Sequence, residues 1–260
     1  DDDFVSARQM DRPFQPNAAD QQILQDDAHY RVFDVSGSPF NTGRTSYFHN
    51  AIGGYHAAKP GRMQDLYDFY ISQNNMEILN MLNAKYFIVP SEGGQPQAQQ
   101  NPNAFGNAWF VKDIIWVESA NEEILNLNEV DLQNTAVINS EFKNEVSEDF
   151  KATENAEIQL QSYQPNELVY ETNASSPQFA VFSEMYYQPG WQAYLDGEEV
   201  DHVRANYVLR AMNIPAGEHT VTFRFEPEVV NTGSSIALAS SIILVLIILG
   251  GFYYKSRKRE

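Results

Sequence analysis

The run IALASSIILVLIILGGFYY, from Ile236 to Tyr254, decides how the rest of the chain must be read. Its 19 residues carry no charge. As a helix rising about 1.5 Å per residue it is about 28 Å long, close to the hydrocarbon thickness of a bilayer. A core helix of a soluble protein would keep a polar face, and this run has none. Tyr253 and Tyr254 close it, where amphipathic rings favour the headgroup layer. Lys255, Arg257, Lys258 and Arg259 follow, and Glu260 is last. A transmembrane helix over residues 234–254 and a basic tail over 255–260 are expected. Basic flanks stay in the cytoplasm, so residues 1–233 are expected to lie outside it.

The whole-chain averages conceal this division. The 260 residues include 35 acidic and 17 basic side chains, for a net charge of −18. The tail KSRKRE holds four of the basic groups and one acid, leaving the outer portion at −21 and the tail at +3. An acidic surface repels phosphates, so nucleic acid is excluded as a partner. There is no cysteine, which removes disulfides, zinc–thiolate sites, iron–sulfur clusters and thiol catalysis. The opening DDDFVSARQM has neither a basic nor an apolar region that could direct export. A removed signal peptide, or earlier membrane helices, would have to supply it. The segment EPEVVNTGSS before the span does not match a sortase signal.

Upstream of the span, residues 157–225 break into strand-like runs at 157–163, 167–173, 178–184, 191–195, 199–204, 206–213 and 218–225. Turn signals separate them, the strongest being Asp196-Gly197, a short-hairpin pair. Seven short strands at this spacing predict a β-sandwich over residues 149–228, set on the bilayer surface by the adjoining helix.

Residues 1–148 alternate helices with strands instead. Asn17 can cap a short helix, and His29–Val35 and Lys85–Val89 read as strands. Residues 62–82 give two helical stretches broken at Asn74-Asn75, the second capped there. Ala108–Val117 reads as one long strand or two joined by a kink. Ser119 with Glu122 forms a capping box, and Ala136–Ile138 is a short strand. The polar stretch 91–107, SEGGQPQAQQNPNAFGN, is expected to be a mobile loop. The fold class is thus α+β: an N-terminal α/β extracytoplasmic domain, an antiparallel β-sandwich and one C-terminal transmembrane helix.

The segment from Tyr47 to Asp65 concentrates chemistry around Gly53-Gly54, which allow positive φ and bring side chains together. Tyr47, His49, Tyr55, His56, Lys59, Arg62, Gln64 and Asp65 are the candidate substrate-binding residues. Aromatic faces with His and Arg suit sugar rings or a phosphate. The competing account is a structural loop in which the histidines satisfy backbone groups and Arg62–Asp65 is an ordinary helix pair. Trp191 is a candidate for stacking on a sugar, with Asn206 and Arg210 beside it; a turn feeding a core tryptophan is the stronger alternative. No metal site is expected. His49 and His56 completed by Asp65 form the only arrangement worth testing, and no metal-binding motif is present. No nucleophile motif or phosphate loop occurs. Asp1–Asp3 and Asp26-Asp27 read as solvated surface.

Several phrases in order carry a resemblance. They are Ser46-Tyr-Phe-His49, Gly53-Gly-Tyr-His56 with Lys59, Arg62-Met-Gln-Asp-Leu66, Asn80-Met-Leu-Asn-Ala-Lys-Tyr-Phe87 and Gly106-Asn-Ala-Trp-Phe110. Tyr187-Gln-Pro-Gly-Trp191, Asp196-Gly197, Arg204-Ala-Asn206, Leu209-Arg-Ala211 and Ile214-Pro-Ala-Gly-Glu-His219 follow. Together they resemble the C-terminal part of YfhO-type bacterial membrane proteins, in a Bacteroidetes-like form. The resemblance implies a polytopic, GT-C-like glycosyltransferase of the plasma membrane. Such an enzyme takes sugar from a polyprenyl-phosphate carrier and gives it to a cell-envelope glycan. It implies a catalytic acid in an early loop outside this segment, membrane lipid as a partner and no cofactor here; any metal ion would belong to the membrane portion. The second expectation, from another class, is a single-span surface protein that binds carbohydrate or serves structure, without catalysis.

Overall fold

A computed structural model of the chain describes residues 14–151, 153 and 155–258. Asp1–Asp3, Arg259 and Glu260 fall outside the described residues.

The fold is α+β, with three sheets and one long apolar helix. Among the described residues the first elements are α1 (Ala18–Ile23), β1 (Arg31–Asp34), α2 (Arg44–Phe48) and α3 (Gly61–Phe69). A 3-10 turn (Ile71–Gln73) leads to α4 (Met76–Met81), β2 (Ala84–Val89) and β3 (Gln97–Gln100). Next come β4 (Ala108–Val111), β5 (Asp113–Val117), α5 (Ala120–Asn126) and β6 (Thr135–Asn139). The later strands are β7 (Glu157–Gln164), β8 (Glu167–Ala174), β9 (Gln178–Met185), β10 (Trp191–Leu195) and β11 (Glu198–Val200). Finally come β12 (Val203–Ala205), β13 (Leu209–Ile214), β14 (Gly217–Phe225) and α6 (Glu228–Arg257).

Local signals behave as the sequence implies. Asn75 accepts the Ile78 amide at 3.2 Å and starts α4, while Asn74 turns left-handed at φ 56°. Ser119 accepts the Glu122 amide at 3.2 Å, and Glu122 reaches back to the Glu118 amide at 2.9 Å. Asn17 and Asp20 exchange hydrogen bonds at 2.8 and 2.9 Å across the first turn of α1. Asp196 and Gly197, both at positive φ, join β10 to β11, as a two-residue hairpin requires.

The sandwich is a five-stranded sheet, β11-β10-β14-β8-β7, facing a six-stranded sheet, β4-β9-β13-β12-β6-β5. Leu168, Tyr170, Val221 and Phe223 meet Ala180, Phe182, Met212 and Ile214 between them. The other face of the six-stranded sheet packs on the helices: Phe179, Val181, Leu209 and Ala211 share a core with Leu66, Ile78, Leu79 and Phe33. β9 is therefore buried on both faces over Gln178–Ser183, which explains its unalternating run. The three-stranded sheet, β1-β2-β3, packs one face against that core and the other against α1 through Ile23, Val32 and Ile88.

Long-range pairing overturns four expectations. The proposed boundary near residue 148 runs through the six-stranded sheet, since β4, β5 and β6 pair with strands that follow it. The two regions share one core because β9 and β13 have two apolar faces to cover. The polar stretch 91–107 contains β3, which adds to β2 through backbone bonds that need no apolar side chains. Asn101 then anchors it, donating to Asn80 Oδ1 at 2.8 Å and the Ala84 carbonyl at 2.9 Å. The run 199–204 is two strands, β11 and β12, in different sheets. The run 206–213 begins only at Leu209, because Asn206 and Tyr207 turn with φ of 49° and 71°. Asn206 holds that turn to β6, accepting the Val137 amide at 2.8 Å through Oδ1. The 108–117 segment is the two-strand alternative. β4 and β5 are the opposite edges of the six-stranded sheet, joined through Lys112 alone, so that sheet must coil back toward itself.

α6 carries the apolar run and is long and apolar enough to cross a membrane; none of its most apolar stretch is buried against the rest of the chain. It follows β14 after only Glu226 and Pro227.

Candidate functional site

The Gly-rich segment is fixed against β1. Ala51 bridges to Val32, with Val32 N–H donating to the Asn50 carbonyl and Ile52 N–H to the Val32 carbonyl, each at 2.8 Å. The backbone then turns through Gly53 at φ 124° and Gly54 at φ 89°. Gly54 N–H donates to the Pro39 carbonyl at 2.7 Å. A Cβ on Gly53 would strike that same carbonyl, and one on Gly54 would strike the Ser46 hydroxyl. Both glycines are needed for close approach as well as for conformation.

This turn forms one wall of a pocket of about 350 Å³. Phe40, Ile52, Met63, Leu82, Met185 and Leu209 supply apolar lining, and Arg31, His56 and Lys59 supply nitrogen. Among the described residues no carboxylate lines it. Lys59 Nζ lies 4.3 Å from the centre of the Phe40 ring and 3.4 Å from Gln64 Oε1. Among the described residues no carboxylate pairs with it, so its charge is available. His56 Nδ1 accepts the Ala58 amide at 3.1 Å, so the neutral ring carries its proton on Nε2.

Arg31 is committed to the scaffold. Its guanidinium meets Glu184 at 3.1 Å and donates to the Leu82 carbonyl at 3.1 Å and the Ser183 hydroxyl at 3.0 Å. Burial disfavours the Glu184 carboxylate, but Arg31, His29 and Arg210 outweigh it and hold its pKa below the usual range. Arg210 is buried, and its pKa falls to about 10 through desolvation. This charge network ties β1 to β9 behind the pocket.

The remaining candidates disperse. His49 is a structural residue, its Nε2 3.0 Å from Asp20 Oδ1, with the imidazole almost fully buried and Arg44 on the same carboxylate. Tyr47 is exposed against Phe14 and Phe48, and with His49 borders a separate shallow depression. Tyr55 is exposed. The expected Arg62–Asp65 pair does not form. Arg62 reaches the fully buried Glu123 at 2.9 Å and stacks on Tyr207 at 4.3 Å. Asp65 instead accepts from the Tyr207 hydroxyl at 2.7 Å. Burial, then that hydrogen bond, push the Tyr207 phenol up to about 12. Gln64 bridges Lys59 and Asp68, donating to the latter at 2.9 Å. With His49 on Asp20 and Asp65 on Tyr207, the His49–His56–Asp65 metal arrangement is not assembled, and the described residues hold no metal-capable group of three.

Trp191 sits at the edge of the sandwich core, its ring 4.2 Å from the Arg210 guanidinium and 5.4 Å from Phe225. Asn206 lies elsewhere, bound to β6. The core alternative describes Trp191 better than the sugar-stacking one. Arg31, Met185 and Leu209 escape a sequence-based site list. The available signal is the Arg in YRVFDV and the Glu closing QFAVFSE: opposite charges on strands rich in Val and Phe.

The pocket lies close to the root of α6. Met185 pairs with Leu209 at the end of β9, and the chain then enters the turn Tyr187–Gly190. Gly190 accepts the Glu226 amide at 2.6 Å, immediately before α6. Five residues thus join the pocket wall to the base of the apolar helix, a span of at most about 18 Å.

The family described as "Bacterial membrane protein YfhO" matches residues 69–237. The match begins after the Gly-rich turn and includes Leu82, Met185 and Leu209 of the pocket lining. No curated protein and no solved structure is similar enough to this chain to count as a match. On the family match, the chain belongs to the YfhO family of bacterial membrane proteins.

Proposed function

We propose that this YfhO-family chain is the extracytoplasmic region and last membrane helix of a GT-C-like glycosyltransferase acting on cell-envelope glycans. Its pocket would bind part of a polyprenyl-phosphate sugar or hold the acceptor beside it. The observation carrying this is the pocket's composition: an apolar lining with Lys59 and His56, Lys59 having no carboxylate partner, and no carboxylate in the lining among the described residues. An amphiphile with an anionic head fits such a lining. Its hydrocarbon would cover Met185 and Leu209, and its phosphate would take charge-assisted hydrogen bonds from Lys59 and His56 Nε2. A carboxylate in the lining would repel that phosphate. Proximity to the root of α6 suits a ligand delivered from the bilayer rather than from water.

In this proposal the chain binds and orients. The general base for sugar transfer comes from another part of the protein, and no resident cofactor is required here. Lys255, Arg257 and Lys258 follow the apolar run at the end of α6, which in this proposal sets the folded region on the outer side of the plasma membrane.

The test replaces Lys59 and His56 by glutamine in the full-length protein in its own bacterium. Losing a charge-assisted hydrogen bond costs about 1.5–3 kcal/mol, roughly 10- to 150-fold in affinity. Envelope glycosylation should fall at unchanged protein abundance. Unchanged glycosylation at equal abundance overturns the site. A gene encoding only a signal peptide before Asp1 would instead favour a single-span carbohydrate-binding protein.

A further inference from the structure

The turn Tyr187-Gln188-Pro189-Gly190 projects from the end of the sandwich that carries α6, and its position relative to that helix is fixed. Gly190 accepts the Glu226 amide at 2.6 Å, while the Gly190 and Trp191 amides both donate to the Tyr187 carbonyl, at 3.3 and 3.1 Å. A Cβ on Gly190 would enter the Phe225 ring, so the turn lies flush against the last residue of β14. Tyr187 is nevertheless 54% exposed, and Gln188 and Pro189 are exposed beside it.

The length of α6 sets the height of this turn. No charge occurs from Val229 to Tyr254, a helical rise of about 39 Å. The hydrocarbon core takes about 30 Å. Tyr253, Tyr254 and Lys255 hold one end at an interface. The stretch exceeds the hydrocarbon by about 9 Å, and a helix longer than the hydrocarbon is accommodated by tilting. Counted on to Glu226 the rise is about 42 Å; a tilt of about 30° leaves Glu226 about 6 Å above the hydrocarbon, at the outer margin of the headgroup layer, and the turn bonded to it stands at the same height. Tyrosine suits this depth, with an apolar ring and a hydroxyl that stays hydrated. We infer that the Tyr187–Pro189 turn rests in the lipid headgroup layer as a second membrane contact, fixing the tilt of the sandwich on the bilayer. The inference is independent of any sugar-transfer reaction.

The absence of cysteine from the chain makes the test clean. Single-cysteine variants Y187C, Q188C, E198C and S235C are labelled with an environment-sensitive fluorophore. The 260-residue chain is reconstituted into phosphatidylethanolamine–phosphatidylglycerol nanodiscs containing headgroup spin-labelled lipid. Glu198 pairs with Leu195 at the opposite end of β10, about 14 Å along the strand from Trp191. Labels at 187 and 188 should be quenched several-fold more strongly than the label at 198, and comparably to that at 235 in α6. Quenching at 235 with equal, weak quenching at 187, 188 and 198 would overturn the inference.

Discussion

Replacing Arg62 by alanine separates a ligand-binding role from a structural one. Arg62 reaches Glu123 Oε2 at 2.9 Å and the Tyr207 carbonyl at 3.1 Å. The Glu123 side chain is fully buried, and Arg62 itself is 30% exposed. Truncating one member of a buried pair typically costs about 3–5 kcal/mol, because the other charge is left without its partner. Two features lower that figure here. The partial exposure of Arg62 screens the pair. Glu123 also keeps the Tyr207 amide at 3.2 Å and Arg204 at 3.5 Å. A loss of about 2–3 kcal/mol is expected, or roughly 4–12 °C in Tm for a folded region of this size. Thermal unfolding of the chain in nanodiscs, followed by tryptophan fluorescence, measures it. Glu123→Gln removes the stranded charge, so the Arg62→Met/Glu123→Gln pair should recover part of the loss, giving a non-zero coupling energy. An Arg62→Ala protein with unchanged Tm that has lost glycosylation activity would refute the structural assignment and return Arg62 to the substrate.

Gly53→Ala drives a Cβ into the Pro39 carbonyl at a φ of 124°; it should cost about 1–3 kcal/mol and lower Tm, and under the proposed function it should lower envelope glycosylation as well, both absent if the turn is loose. Asn206→Ala strands the buried Val137 amide, for a loss of about 1–3 kcal/mol in chemical unfolding. His202 is buried beside Phe223 and Tyr186, and burial, then Arg210, lower its pKa to about 4. The unfolded chain takes up that proton near pH 6.5, so stability should fall as pH drops from about 6.5 to 4, by an order of 3 kcal/mol; His202→Leu should flatten that part of the profile. His219 is raised by its hydrogen bond to Asp196, so its contribution is present at low pH and is lost as pH rises through its folded pKa; Asp196→Asn should remove this dependence, read from the His219 ring signals by NMR.

Features set by neighbouring residues were legible in the sequence. Asn75, Ser119 and Asp196-Gly197 need only local geometry, and each lies where its cap or turn requires. The apolar helix needs only composition. Sheet membership is different, because pairing across a hundred residues leaves no local mark. Gln97–Gln100 is a strand by backbone bonds to Tyr86–Val89, and its glutamines carry no strand signal. The site shows the same division. Gly53-Gly54 points to His56 and Lys59, which do line the pocket. Arg62 and Asp65 look like a pair at helical spacing and are drawn apart by Glu123 and Tyr207, both distant in sequence.

The two-faced burial of β9 and β13 limits how this region can be divided. A sandwich cut out at residue 149 would lose β4, β5 and β6 from its larger sheet and uncover Phe179, Val181 and Ala211. Those three side chains alone represent several kcal/mol of lost burial. The N-terminal part would lose the strands that carry Met185 and Leu209, and with them one wall of the pocket. Arg31 reinforces the same junction, since its guanidinium bonds to β9 across the sheet boundary. The pocket, the charge network behind it and the turn at the root of α6 therefore belong to one folding unit. Met185 in the pocket wall and the turn bonded to the root of α6 stand at the two ends of one five-residue connection, so under the proposed function the membrane would fix the height at which the pocket meets its substrate.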